Sequence, residues 1–208
     1  ISADRQIVLA GAGINLERYK MQPYPKHTRI HFLYLGRIMK EKGIDELFYA
    51  VRHLKKENEN FVLDLVGFFE DEYKEQVKEL EKHSIAHFYG FQSDPRPFYI
   101  EADCVVLPSY HEGMSNVILE AAATGRPVIT SNIPGCRESV ENGKSGLLVE
   151  VKNKEMLYDA MKEMLHCSRE EREQMGQAGR EKMEREFRKE VVVEKTVQSL
   201  REDEKRDF

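Results

Sequence analysis

Two glutamates near the middle of the chain have a spacing that allows both to serve one ligand. Glu112 stands in a polar loop, and Glu120 follows eight residues later in an apolar, alanine-rich segment. A carboxylate accepts strong hydrogen bonds from hydroxyl groups, whereas it repels a phosphate. The pair therefore predicts a site for the hydroxyl groups of a sugar or a ribose.

The segment that carries these glutamates predicts a strand, a loop and a helix. The run Cys104–Leu107 is apolar, as in a buried strand, and Pro108 ends it. Ser115 and Asn116 favour a helix N-cap before the apolar residues that follow, and Gly125 ends that helix. We therefore expect the first glutamate to precede the helix and the second to lie within it.

The start of this helix predicts that the same ligand carries phosphate. The first backbone N–H groups of a helix lack intrahelical acceptors, and the helix dipole favours negative charge there. The residues at this helix start are Met114, Ser115 and Asn116, and Gly113 comes directly before them. A phosphate flanked by polyols is the chemistry of a nucleotide-sugar.

Two basic residues form a second candidate group. Arg37 follows Gly36 at the end of an apolar run, and Lys42 precedes an amphipathic helix predicted from Ile44 to Glu57. A fork-shaped guanidinium and a point-charge ammonium can share the negative charge that grows on a departing phosphate.

The elements that must position these residues alternate between strand and helix. Strands are predicted at 7–10, 30–35, 61–66, 85–89, 104–107 and 128–130, with a last strand ending at 149; helices at 44–57, 73–83, 94–101, 117–123, 156–165, 169–187 and 191–201. Continuous apolar strands that alternate with helices indicate a doubly wound parallel α/β sheet, Rossmann-like, with helices on both faces. Ligands of such sheets bind at the carboxyl ends of the strands, where both candidate groups fall.

Both candidate groups match motifs of a known family. The stretch from His111 to Ala121 resembles the E-x7-E signature of the retaining family-4 glycosyltransferases of the GT-B fold, and the stretch from Gly36 to Gly43 resembles their G-R-x4-K-G element. The resemblance implies the C-terminal half of a two-domain GT-B enzyme. Residues 1–188 would form the donor-binding domain, and 189–208 a helix that crosses back to an N-terminal domain absent from this chain.

The resemblance also implies a role for each site residue. Arg37 and Lys42 would stabilise the departing diphosphate, with Gly36 beside them and with no metal ion. Glu112 would hold the sugar and Glu120 the ribose. The backbone around Gly90 and Phe91 would lie against the nucleotide base. The loop at 68–72 departs from the glycine-rich turn of the family.

The implied reaction is transfer of a sugar from a nucleotide-sugar, most often a UDP-sugar, to an acceptor hydroxyl with retention of configuration. No residue is placed as a nucleophile, and the chain has no Asp-x-Asp triplet of the kind that metal-using transferases carry. We therefore expect neither a metal nor a cofactor. The expected partners are the nucleotide-sugar and a glycan or glycolipid acceptor bound through the absent N-terminal domain.

Composition narrows the classes of function. The chain has 208 residues and a net charge of −5, which gives no support to binding of nucleic acid or an anionic membrane through bulk charge. Its three cysteines are widely spaced, as in a reduced, cytoplasmic protein, and no apolar run approaches the roughly 20 residues of a transmembrane helix. The missing initiator Met predicts a fragment. Peripheral attachment to the inner membrane would come through the absent domain.

Two other functions stay open at this point. A nucleotide-sugar epimerase of the GT-B fold shares the sheet and the diphosphate site, although the two basic residues together with the two glutamates favour a transferase. A non-catalytic nucleotide-sugar-binding module is the second alternative, with the long C-terminal helices serving a partner. A product assay separates a transferase from an epimerase, because the epimerase needs no acceptor.

Overall fold

The structure, a computed structural model, describes residues 11–57 and 59–204, with side chains described as far as residue 199. Six strands form one parallel sheet in the order β3-β2-β1-β4-β5-β6. The strands are β1 Ile30–Leu35, β2 Phe61–Val66, β3 Ala86–Gly90, β4 Cys104–Leu107, β5 Val128–Ser131 and β6 Gly146–Val149. The predicted doubly wound α/β sheet is confirmed; the strand predicted at 7–10 lies outside the described residues.

The helices follow the predicted alternation. They are α1 Ile44–Lys56, α2 Lys74–Lys82, α3 Arg96–Glu101, α4 Asn116–Ala123, α5 Lys154–His166, α6 Arg169–Lys182 and α7 Lys189–Glu204, with short 3-10 helices at Lys40–Lys42 and Arg137–Ser139. The helix predicted over 169–187 is confirmed in its extent, but its last turn is not α-helical. The α-helix ends at Lys182, a π-helical turn covers Met183–Phe187, and Arg188 takes an extended conformation before α7.

Burial on both faces explains why the central strands are mostly apolar, with Asp64 of β2 as a buried exception. Every residue of β2 and β4 is buried, because helices cover both faces of the sheet. Helix α1 packs on α5, while α4 packs on α6. The polar ends of the strands are thereby left to form the edge where a ligand can bind.

A close backbone contact at Gly43 brings the first candidate group to the second. Gly43 is left-handed (φ 73°), and a Cβ there would lie 2.1 Å from the carbonyl oxygen of Pro108. The Tyr110 N–H also donates to the Glu41 carbonyl oxygen at 2.8 Å. These contacts hold the 3-10 helix Lys40–Lys42 against the loop that follows β4.

Arg126, three residues after the end of α4, is fully buried. Its guanidinium donates to five backbone carbonyls, which belong to Gln22, Pro23, Tyr99, Ile100 and Gly125. These carbonyls lie in the incoming chain, in α3 and at the end of α4. One side chain therefore ties three segments together.

Helix α7 buries only part of its apolar residues against this domain. Val192 is buried, while Val193 and Val197 are exposed. The crossing of this helix to a second domain stays a prediction.

Within residues 11–57 and 59–204, none of the helices combines the length and the hydrophobicity that a membrane crossing requires.

Candidate functional site

The candidate residues collect at the carboxyl edge of the sheet. Gly36 follows β1, Gly67 follows β2, Gly90 ends β3, and the Glu112 loop follows β4. The loops after β1 and β2 touch, because a Cβ at Gly67 would lie 1.8 Å from the Gly36 carbonyl oxygen. The Gly36 N–H donates to the carbonyl oxygen of Val66 at 2.9 Å, so this amide takes part in the backbone pairing of the two loops.

Lys42 and Glu112 form the centre of this edge. Their side chains, 70 residues apart in sequence, join Nζ to Oε1 at 2.6 Å, and they are only 16% and 15% exposed. Partial burial weakens the screening of this pair by solvent. The structure thus brings together one predicted phosphate ligand and the predicted sugar ligand, with their charges neutralising each other.

Arg37 has a different partner, which sequence reasoning missed. Its guanidinium Nη1 donates to both carboxylate oxygens of Glu70, at 2.9 and 3.2 Å, and the side chains are 48% and 43% exposed. Glu70 comes from the loop after β2, where the sequence departs from the glycine-rich turn of the family. That departure was the only signal in the sequence for an added carboxylate.

The start of α4 has the geometry that its sequence predicts. Ser115 is the N-cap with an extended backbone, although its side chain makes no capping hydrogen bond. The first intrahelical bond runs from Leu119 N–H to the Ser115 carbonyl (3.2 Å), so the amides of residues 116–118 have no acceptor within the helix. Asn116 and Gly113 are exposed and Met114 is half-buried.

Gly135 fixes the loop that leads into α4, and sequence reasoning did not single it out. The Ser115 N–H donates to the Gly135 carbonyl at 3.1 Å. Gly135 is left-handed (φ 87°), and a Cβ there would lie 1.5 Å from the Gly113 carbonyl oxygen. The position of the predicted phosphate loop therefore depends on this glycine.

Replacing Gly135 with alanine is expected to lower the free energy of unfolding by about 3 kcal/mol, since backbone strain and a steric clash add together. Urea unfolding measures the change. Gly143 provides the matched control, because it is also left-handed (φ 75°) but has open space around a Cβ. Gly143→Ala is expected to cost only about 1 kcal/mol from strain. Equal losses in the two variants would contradict the clash.

Glu120 is held by two tyrosines. The Tyr99 hydroxyl donates to its Oε2 at 2.9 Å, and the Tyr19 hydroxyl is a second donor. Burial raises the pKa of Glu120, and hydrogen bonds from both tyrosines oppose that rise. Burial, with the carboxylate beside it, raises the pKa of Tyr19 to about 12, so this hydroxyl stays a donor at neutral pH. Glu120 is thus a positioned acceptor and not a solvated helix residue.

Gly90 and Phe91 lie at the end of β3, as their predicted role requires. Gly90 is left-handed (φ 69°) with open space around it. Phe91 is 70% exposed, and its ring centroid lies 6.5 Å from that of Phe68, which is 48% exposed. Phe68, which sequence reasoning did not select, makes this an exposed pair of aromatic rings on the ligand edge. Exposed rings of this kind suit stacking with a planar base.

Comparisons with known proteins bear on the family and the fold of this chain. Capsular polysaccharide biosynthesis glycosyltransferase CapM of Staphylococcus aureus is 28% identical over 193 residues, covering 88% of this chain and 50% of CapM. Sucrose-phosphate synthase from Thermosynechococcus elongatus has a TM-score of 0.77 at 26% identity, covering 91% of this chain and 51% of that one. The chain spans about half the length of the curated relatives it matches.

A further structure, Anabaena HepE in complex with UDP-glucose, has a TM-score of 0.76 at 20% identity, covering 91% of this chain and 56% of HepE. At that identity the likeness shows the fold alone, and the structural neighbours are GT-B glycosyltransferases. The family model described as "Glycosyl transferases group 1" matches residues 17–182. The relatives do not favour an epimerase or a non-catalytic module. The chain belongs to the group 1 glycosyl transferases.

Proposed function

We propose that the chain is the donor-binding domain of a retaining glycosyltransferase that transfers a sugar from a nucleotide-sugar to an acceptor hydroxyl. The observation that carries this proposal is the contact between Lys42 and Glu112 beside the start of α4, with the positioned Glu120 in the same helix. Cationic, anionic and amide groups then stand where phosphate and hydroxyl groups can be bound together.

In this proposal the leaving diphosphate is stabilised by fixed charge. The ammonium of Lys42, the guanidinium of Arg37 and the N-terminal amides of α4 would face the phosphate oxygens, on which negative charge grows as the bond to the sugar breaks. These groups would supply the stabilisation that a divalent metal gives in other transferases. The acceptor hydroxyl would attack the anomeric carbon of the sugar from the same face that the diphosphate leaves, so that the configuration is retained.

The carboxylates would bind the hydroxyl groups of the donor. Glu112 would accept from the sugar once Lys42 turns toward the phosphate, and Glu120 would accept from the ribose. The tyrosine bonds to Glu120 leave lone pairs on its carboxylate for a ligand, because each carboxylate oxygen has two. Phe91 would stack on the base.

UDP is the proposed nucleotide. Support comes from solved relatives of the same fold that were crystallised with UDP or UDP-glucose. The proposed acceptor is a glycan or glycolipid, because CapM acts in capsular polysaccharide biosynthesis and another relative acts on a diphospho-undecaprenol sugar. An N-terminal domain would hold the acceptor, and it would also provide any peripheral attachment to the cytoplasmic membrane.

A calorimetric titration of the 208-residue chain with UDP, GDP and ADP tests the proposal. Selective binding of one nucleotide is the expected result, and UDP is the expected one. Binding of none of the three would contradict a preformed donor site in this chain. Without an acceptor domain, the chain is expected to turn over little or no donor. Robust sugar transfer by the purified chain would contradict the proposal that a separate domain holds the acceptor.

Replacing Glu120 with alanine is expected to weaken UDP binding by about 1–3 kcal/mol, the size of lost charge-assisted hydrogen bonds. The same titration measures it. Tyr99→Phe serves as the control, because it removes a hydrogen bond to Glu120 but keeps the carboxylate. The control is expected to lose much less affinity. Equal binding by Glu120→Ala and the parent would show that the ribose role is wrong.

A further inference from the structure

Arg37 is the more exposed of the two basic residues assigned to the diphosphate, and its guanidinium is already paired with a carboxylate. Both carboxylate oxygens of Glu70 accept from one nitrogen, Nη1, at 2.9 and 3.2 Å. This arrangement is not the parallel fork in which an arginine meets a carboxylate through two nitrogens. A diphosphate can therefore bind the same guanidinium more strongly than Glu70 does.

The loop that carries Glu70 is fixed at its base by the backbone. The Glu70 N–H donates to the Ile38 carbonyl at 3.1 Å, and the Lys40 N–H donates to the Asp71 carboxylate at 2.8 Å. The Glu70 side chain itself is about half exposed. It can consequently swing away from Arg37 without any change in the fold.

Resting on the proposed function, we propose that Glu70 competes with the donor diphosphate for Arg37 and thereby sets the affinity of the site for donor and product. Glu70 leaves the guanidinium when the diphosphate arrives and returns when the nucleoside diphosphate departs. The competition weakens binding of both, and it speeds release of the product, which carries more negative charge than the donor. An exposed ion pair of this kind is worth up to about a five-fold change in an equilibrium.

The test compares UDP binding by the parent chain and by Glu70→Gln. The substitution removes one negative charge and keeps the shape of the side chain. The dissociation constant for UDP is expected to fall by about two- to five-fold, and the rate of UDP release measured by stopped-flow displacement is expected to fall with it. Uridine, which has no phosphate, is expected to bind both proteins equally.

Glu72 gives the matched control. It is exposed on the same loop and has no ion pair among those found in the described part of the chain. Glu72→Gln removes the same charge without touching Arg37, so its UDP affinity is expected to stay within about two-fold of the parent. In an Arg37→Ala background, Glu70→Gln is expected to have no effect, because the competition no longer exists.

Three results would overturn the inference while leaving the donor site intact. They are weaker or unchanged UDP binding by Glu70→Gln, an equal gain from Glu72→Gln, and a gain that persists without Arg37. The first result would mean that Glu70 either positions Arg37 for the ligand or has no effect on binding. The second would mean that the gain comes from the net charge of the protein. Failure of the parent to bind UDP, GDP and ADP would instead remove the donor site, and the inference with it.

Discussion

Replacing Lys42 with alanine is expected to weaken UDP binding by about 10- to 150-fold, while uridine binding changes by less than about two-fold. Hydrogen bonds to charged groups contribute about 1.5–3 kcal/mol each, which gives the range for the diphosphate. The loss is at the upper end because Glu112, 2.6 Å from Lys42 in the parent, would be left without its counter-charge next to the phosphate. Calorimetric titration with both ligands measures the two effects.

Lys40 is the control for this experiment. It lies in the same 3-10 helix, is exposed, and makes its hydrogen bond to Asp71 through the backbone, so Lys40→Ala preserves that bond. We expect Lys40→Ala to bind UDP within about two-fold of the parent. Equal losses for UDP and uridine in Lys42→Ala would indicate a folding defect, and equal losses in both lysine variants would indicate a general effect of charge.

Replacing Arg126 with methionine is expected to lower the free energy of unfolding by about 3–4 kcal/mol. The five carbonyls that this guanidinium satisfies would lose their donor, and the bonds to two of them, on Tyr99 and Gly125, are buried. Relief from burying a cation offsets part of that cost. Urea unfolding with a constant m-value provides the measurement. Because these carbonyls anchor α3, which carries Tyr99, the variant is also expected to bind UDP less tightly.

Two further substitutions test whether the loss of stability in Arg126→Met comes from the lost hydrogen bonds of the guanidinium. Arg52→Met is the matched control, because the guanidinium of Arg52 makes a partly exposed ion pair with Glu79 and long hydrogen bonds to Gln76 at 3.4 Å, and it is expected to cost under about 1 kcal/mol. Arg126→Lys keeps the charge but presents three donors in place of five, so it is expected to recover only part of the stability. Full recovery by lysine would mean that charge, and not the geometry of the guanidinium, matters at this position.

The order of the fold follows from local pattern. Apolar runs separated by polar turns located the described strands to within a residue or two, because a strand buried on both faces is mostly apolar. The start of α4 followed from Ser115, and its end from Gly125. The π-helical turn at Met183–Phe187 was missed, since helix periodicity continues through it while the hydrogen bonding changes.

The candidate site, like the fold, could be predicted from the sequence only in part. Spacing and residue type identified Arg37, Lys42, Glu112 and Glu120, because these chemistries are needed at strand ends and at a helix start. Their partners could not be identified in this way. Glu70, Tyr19 and Tyr99 come from other parts of the chain, and no local pattern states which carboxylate or hydroxyl will face a given side chain.

The sequence by itself determined the family and the parallel α/β sheet, and it predicted the edge of that sheet where a ligand would bind. These follow from hydrophobic periodicity and from glycine, proline and charged residues at fixed spacings. Only the tertiary structure decided that Lys42 pairs with Glu112, that Arg37 is bound by Glu70, and that Gly135 holds the phosphate loop. The reason is physical: each of these contacts is set by the packing of loops from different strands, which the sequence of any one loop does not encode.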